Sequence, residues 1–322
     1  MGLDQRILGR SGLRVSDACL GTMTFGTSWG FGADEATCRE IYAAFREAGG
    51  TFVDTANNYT NGESEEILGR LLAGERDEVV VSTKFTLPTA ADPNSGGSHR
   101  KSLRRSVETS LRRLGTDYID LLYVHAWDQH TPVDETLRAL DDLVAAGTVL
   151  AVGVSNTPAW VIARSDLLAE MRGWARFCSV QLQYGLASRT AERELLPMAR
   201  ALGLHVAGWG PLGRGLLAGK PPPAGRPSLS PTVRAVVGEV AKVAAELGTE
   251  PAAVALAWVW HRGVTPVIGA RTVEQVRANL RAADLRLDDE HLARLDAVSA
   301  VRLGYPHDFV RERFPMLIAE DR

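Results

Sequence analysis

The sequence predicts an α/β protein built as a (β/α)₈ TIM barrel, and three observations lead there. Short apolar runs alternate with longer segments of helical periodicity from residue 18 to residue 281. Eight such runs can be counted, and each is apolar nearly without interruption, as parallel strands covered by helices on the outside must be. Six of the eight run ends carry a side chain able to donate, accept, titrate or stack. In such a barrel these ends form one rim. A doubly wound open sheet is the alternative that the same alternation allows.

Ahead of the alternation, residues 5–10 and 12–17 read as two short strands around a turn from Gly9 to Gly12, a hairpin placed to plug the N-terminal mouth. Residues 18–21 are the first barrel strand. Residues 35–48 then put Ile41, Tyr42, Phe45 and Ala48 at helical spacing. The second strand is 51–54, and Glu65 and Glu66 open its helix, 64–72, in keeping with the helix dipole. Strand 79–84 pairs with helix 98–114, strand 118–125 with helix 133–146, and strand 148–154 with a helix after Pro158. Strand 177–182 is followed by helix 191–202. Strand 204–209, the seventh, leads into a long Pro- and Gly-rich loop over 210–230, suspected as a lid or ligand clamp. Strand 264–268 and helix 273–280 complete the count. A further helix at 289–298 precedes an irregular tail, 299–322, that holds Tyr305, Phe309 and Phe314.

With 322 residues, 45% of them apolar, and a formal charge of −3, the chain can bury one large core, and residues 1–322 are read as a single barrel domain. Its basic residues are dispersed, so nucleic acid is not expected as a partner. Cys19, Cys38 and Cys178 form no C-x-x-C pair and, being odd in number, no closed disulfide framework. No apolar run approaches the length of a membrane span, and residues 1–14 contain no signal-peptide core. A cytoplasmic location is the expectation.

The strand ends are Gly21 and Thr22, Asp54, Lys84, His125, Ser155 and Asn156, Gln181, Trp209, and Gly269. Five residues beyond Asp54 stands Tyr59. Asp54 could cap a helix, Lys84 could be a surface charge and His125 a satisfied core histidine; their convergence is what carries a chemical reading. A phenol of reference pKa ~10 gains acidity beside an ammonium, which Lys84 would supply and Asp54 would hold in place. Tyr59 would then give a proton to a carbonyl oxygen while His125 donates a hydrogen bond to it. No serine or cysteine nucleophile pairs with His125, and the seven histidines are spread out, so acyl transfer and metal hydrolysis both lack support and no metal is expected. Carbonyl reduction by a bound hydride donor fits better.

Gly208-Trp-Gly210-Pro-Leu-Gly213 matches the dinucleotide fingerprint G-x-G-x-x-G in letters only. It runs into Gly-Leu-Leu-Ala-Gly-Lys-Pro-Pro-Pro instead of a helix, and no acidic strand end follows about twenty residues on. Its glycines still let backbone approach phosphates, with Lys220 as a counter-charge. Trp209 is placed either to stack on a flat ring such as nicotinamide or simply to pack. Arg271, Gln275 and Asn279 lie at the start and along one face of the last barrel helix, where an anion, a 2′-phosphate and an adenine could be met. An arginine there favours NADP over NAD. The structural alternative is an ordinary surface helix.

From Gly9 to about Asn279 the chain resembles the aldo-keto reductases, and most closely the branch that includes the potassium-channel β subunits and many bacterial oxidoreductases. The shared stretches are Asp54-Thr-Ala-Asn-Asn-Tyr59, Gly62-Glu-Ser-Glu-Glu, Leu121-Leu-Tyr-Val-His125, Gly153-Val-Ser-Asn156, Gln181 and Trp209-Gly-Pro-Leu-Gly-Arg-Gly-Leu-Leu-Ala-Gly-Lys220. The resemblance implies a barrel with NADP(H) extended across the rim, Tyr59 as proton donor, Lys84 and Asp54 tuning it, and His125 orienting the substrate. It implies that Ser155, Asn156 and Gln181 hold the carboxamide, that Trp209 stacks on its ring, and that Arg271, Gln275 and Asn279 meet the adenosine. Gly210, Pro211, Leu212, Gly213, Gly215, Leu217 and Lys220 would lie along the pyrophosphate; Gly21, Thr22, Met23, Asp54, Gly269 and Ala270 complete the implied cofactor set. Many members of this branch have Ser where this chain has Gly210, which leaves that contact to backbone.

A small-molecule carbonyl is the expected partner, with Trp29 and Trp127 joining Tyr59 and His125 around it. The loops 24–34, 126–132 and 299–322 would choose among a sugar carbonyl, a metabolite aldehyde and a polyketide-type ketone. The reading from another class is a subunit that senses NADP(H) for a partner protein, with incidental turnover. Oligomeric state is left open by the sequence.

Overall fold

Side chains along a strand alternate between its two faces, so a closed barrel sorts every strand into an inner and an outer set. The computed structural model describes residues 2–220 and 229–318. In chain order the elements are β1 (Gln5–Ile7), β2 (Arg14–Ser16), β3 (Cys19–Gly21), α1 (Glu35–Glu47), β4 (Phe52–Asp54), α2 (Glu63–Leu71), β5 (Val80–Phe85) and α3 (Arg100–Leu114). There follow β6 (Ile119–Val124), α4 (Val133–Ala145), β7 (Val149–Ser155), α5 (Ala159–Arg172), β8 (Ser179–Gln183), α6 (Leu195–Ala201) and β9 (His205–Trp209). The chain ends with α7 (Pro231–Glu246), α8 (Pro251–His261), β10 (Thr265–Gly269), α9 (Val273–Leu280), α10 (Asp289–Ser299) and α11 (His307–Arg313). Strands β3 to β10 form a closed barrel in sequence order, every pairing parallel, which settles the choice against an open sheet.

The outer set is aliphatic. Leu20, Val53, Val81, Leu122, Val152, Val180 and Ile268 pack beneath the helices. Most of those helices begin and end on legible signals: Asp34 and Thr272 accept from the amides of Thr37 and Gln275, and α3 stops at Gly115, in the left-handed conformation. The inner set changes along the barrel axis. Cys19, Phe52, Val80, Leu121, Ala151 and Val267 fill its lower part, and the hairpin of β1 and β2 closes it from below with Leu8 and Val15. Gly9, at φ +54°, makes the tight turn; a Cβ there would fall 2.0 Å from the carbonyl oxygen of Cys178. Above the apolar layer the inner positions become polar, and those are the strand ends of interest.

Two departures from the expected layout stand out. Between β9 and β10 lie two helices, α7 and α8, where only a loop and an unassigned stretch were expected. Both carry Pro at their start, and α8 is apolar all round, so it has no amphipathic stripe to read. The tail is not irregular throughout. It forms α11, tied to the start of α6 through Arg193 on the carbonyl of Arg302 and His307 beside Glu194. Tyr305, Phe309 and Phe314 stack on one another and stay exposed instead of lining a pocket. Pro221, Pro222 and Pro223 of the long loop, and residues 319–322 of the tail, lie outside the described residues.

Candidate active site

Register decides which polar groups meet. Asp54 is level with Ser82, two residues short of Lys84 on the same inner face of β5. Lys84 thus extends over its neighbour to place Nζ 2.5 Å from Asp54 Oδ2, 2.8 Å from the carbonyl oxygen of Thr55 and 3.2 Å from the Tyr59 hydroxyl. The other oxygen of Asp54 accepts from Ser82 Oγ at 2.7 Å and from the Gln181 amide at 2.9 Å. Lys84 and Asp54 are buried, so each ion is expensive alone and tolerable as a hydrogen-bonded pair.

Tyr59 stands on the turn between β4 and α2, beyond the barrel rim. Its ring meets that of His125 edge-on, with centroids 5.9 Å apart, and lies with its centroid 4.8 Å from the Lys84 ammonium. The expectation that the ammonium makes this phenol more acidic than usual is corrected. Burial pushes the phenol's pKa up, and the charge of Lys84, though it acts downward, does not overcome it. Tyr59 is therefore a neutral phenol at pH 7. Burial acts to strip the Lys84 proton, but Asp54 and Tyr59 together outweigh it and raise its pKa. His125 is pushed down to about 3 by burial and by the Lys84 charge, so its ring is neutral.

From His125 a chain of contacts runs around the rim. Its carbonyl accepts from Asn156 Nδ2 at 2.8 Å, and Asn156 Oδ1 accepts from the Trp209 indole at 3.2 Å. Asn156 adopts φ +46°, a left-handed bend that turns its amide back toward both neighbours. Ser155 is buried and accepts from the same amide. Gln181 lies two residues before the end of β8, not at the end, and this is what brings it level with Asp54. Trp29 meets Tyr59 edge-on at 6.4 Å and Phe31 at 5.9 Å, and Trp127 meets Trp160 at 5.8 Å.

The remaining positions divide. Gly210, Pro211, Leu212, Gly213 and Gly215 form a turn running into a short 3-10 segment, Gly213–Ala218, and Lys220 folds back over Gly215. Leu217 and Ala270 bury their side chains in the core, so only their backbone is available to a ligand. Thr22 spends its hydroxyl on the Asp54 carbonyl and on Ser64, while Met23 is exposed and Gly21 faces Val267. Gly269 ends β10; Arg271 is exposed just before α9, its amide on Gln275 Oε1 at 3.0 Å, and Asn279 is buried on that helix. Sequence reading missed Ser82, whose only signal is its place two residues before Lys84.

These residues fit a nicotinamide dinucleotide. His125 Nδ1 is buried and has no hydrogen-bond partner among the described residues. Gly210 and Gly269 leave open space where a Cβ would stand, and the Asn156 amide, with the Ser155 hydroxyl on it, sits beside a half-buried indole.

Comparison with known proteins finds relatives along most of the chain. The chain is 42% identical to the norsolorinic acid reductase of Emericella nidulans, over 94% of this chain and 83% of that protein. It is 35% identical to an aryl-alcohol dehydrogenase of Pestalotiopsis microspora, over 96% and 85%, and 39% identical to the uncharacterised oxidoreductase YrpG of Bacillus subtilis, over 92% and 96%. The family model for aldo/keto reductases matches residues 18–300. With a closed eight-stranded barrel and this length of match, the chain belongs to the aldo/keto reductase family.

Proposed function

We propose that the protein reduces an aromatic aldehyde or ketone to the alcohol, reversibly, with NADPH as reductant. The observation that carries this reading is the Lys84 ammonium held between Asp54 and the Tyr59 hydroxyl, with the edge of a neutral His125 ring beside that phenol. When bound, the reduced nicotinamide supplies a hydride equivalent to the carbonyl carbon. Tyr59 gives its proton to the carbonyl oxygen, and the Lys84 ammonium, kept in place by Asp54, stabilises the phenolate left behind. His125, carrying no charge of its own, donates a hydrogen bond to the same oxygen and orients it.

Ser155, Asn156 and Gln181 would hold the carboxamide, with Trp209 against the ring. The turn at 210–215 with Lys220 would hold the pyrophosphate, and Arg271, Gln275 and Asn279 the adenosine phosphate and base. The exposed arginine favours the 2′-phosphate of NADPH over the bare ribose of NADH. An aromatic substrate is supported by Trp29, which meets the phenol edge-on with Phe31 beside it, and by the name of one relative, an aryl-alcohol dehydrogenase. The test is NADPH and NADH oxidation by the purified protein with aliphatic, sugar and aryl carbonyls, no other protein present. The expected result is turnover with NADPH and aryl carbonyls first. Tight NADPH binding without turnover of any carbonyl would replace this reading with that of a redox-sensing subunit.

A further inference from the structure

The segment that carries the proposed proton donor is strained. Immediately after Tyr59, Thr60 and Asn61 both take left-handed φ, +46° and +57°, and Gly62 follows at +99°. Such a run persists only where surrounding groups over-determine it. Ser28 on the Thr60 carbonyl, Thr60 on that of Phe25 and Trp29 on the Asn61 side chain hold part of it, and the group that reaches both sides of Tyr59 is a side chain from another element. Arg113, in the last turn of α3, sends Nη1 to the carbonyl oxygen of Asn57 at 2.7 Å and Nη2 toward that of Asn61 at 3.5 Å, two residues to either side of Tyr59. Nη1 also sits 3.0 Å from Glu65 Oε2, a fully buried carboxylate whose other oxygen accepts from Thr83. Thr83 is the residue next to Lys84, and its side chain faces the opposite side of β5.

Gly62 fits this arrangement for two reasons. Its φ is left-handed, and a Cβ there would fall 2.1 Å from the Arg113 guanidinium carbon. Gly69, further along α2, lets the backbone of Arg113 approach in the same way; a Cβ there would lie 2.5 Å from its carbonyl oxygen. The close seam between α2 and α3 is what lets the guanidinium reach the turn.

We infer that Arg113 is a positioning residue for the reaction proposed above. Its planar fork, anchored on Glu65, fixes the carbonyls on both sides of Tyr59 and so sets the phenol against Lys84. A lysine would keep the ion pair with Glu65, but one ammonium cannot span both carbonyls.

Arg113→Lys and Arg113→Ala test this, with hydrogen exchange of the backbone as the readout independent of activity. In Arg113→Lys, exchange over residues 57–62 is expected to quicken by at least about fivefold while α3 keeps its protection. Its kcat for an aryl aldehyde should fall at least about tenfold with NADPH affinity within about twofold of the parent. In Arg113→Ala, millimolar guanidinium should restore kcat and urea should not. Unchanged exchange over 57–62, an unchanged kcat, a loss carried wholly by cofactor affinity, or loss of the fold in both variants would each overturn the assignment. A parent protein that reduces no carbonyl would instead refute the functional reading, and exchange would still report the clamp.

Discussion

Tyr59 and Lys84 pull on each other's protons, and the balance sets which direction of reaction each pH favours. Burial holds the Tyr59 phenol above its usual value, so it keeps its proton through neutral pH and loses it only as pH rises past ~10. In the proposed reaction, reduction consumes that proton. Its kcat should therefore be flat between about pH 5 and 10 and fall only above, while alcohol oxidation, which needs the phenolate, should climb across the same range. His125, pushed down to about 3, should add no inflexion between pH 5 and 8. Lys84→Met removes the ammonium and leaves Asp54 buried without its counter-charge. It should lower kcat by about a hundredfold or more and destabilise the fold by roughly 3–5 kcal/mol in chemical denaturation. Asp54, Tyr59, Lys84 and His125 were legible because each stands at or just past an apolar run, where a purely structural chain has less reason to put such groups. Ser82 was not, since a serine inside a strand reads as filler until the register sets it beside Asp54.

The elements differ in how openly the sequence announces them. Strands and most barrel helices were legible to within a few residues because apolar period and caps agree. For α7 and α8 the signals were the prolines at 231 and 251, obscured by a glycine- and proline-rich stretch before them and by the uniformly apolar face of α8. Trp258, fully buried on α8 against Tyr184, shows how much of the outer core that helix supplies. At the other end of the barrel, the hairpin depends on Gly9. Gly9→Ala would force a Cβ into the Cys178 carbonyl at a left-handed φ. It should destabilise the protein by about 2–3 kcal/mol, measured by denaturant unfolding, and leave kcat of the folded fraction unchanged, since the hairpin lies at the opposite mouth from Tyr59.

For the whole molecule, the division of each strand into an outer aliphatic set and an inner set that turns polar toward one rim explains both stability and chemistry. The sequence displayed that division as apolar runs ending in polar residues, but not the closure of the tail aromatics on themselves, because nothing local says which surface an aromatic will choose. One consequence of the polar interior is acid lability. His125 and His205 are buried, with pKa values near 3 and 4 because burial disfavours the imidazolium. Once pH drops below the unfolded value of ~6.5, the unfolded chain binds protons that the folded one refuses. Stability should thus be fully present above that value and decline as pH falls toward 4, by on the order of 3 kcal/mol per histidine, with His205→Gln flattening the slope of the thermal midpoint against pH. The central claim is that the Tyr59 phenol, backed by Lys84, delivers the proton. Single-turnover oxidation of bound NADPH by an aryl aldehyde, compared between the parent and Tyr59→Phe, tests it most directly. The account predicts a rate lower by about 10²–10⁴ with cofactor affinity unchanged; a rate within about twofold of the parent would contradict it.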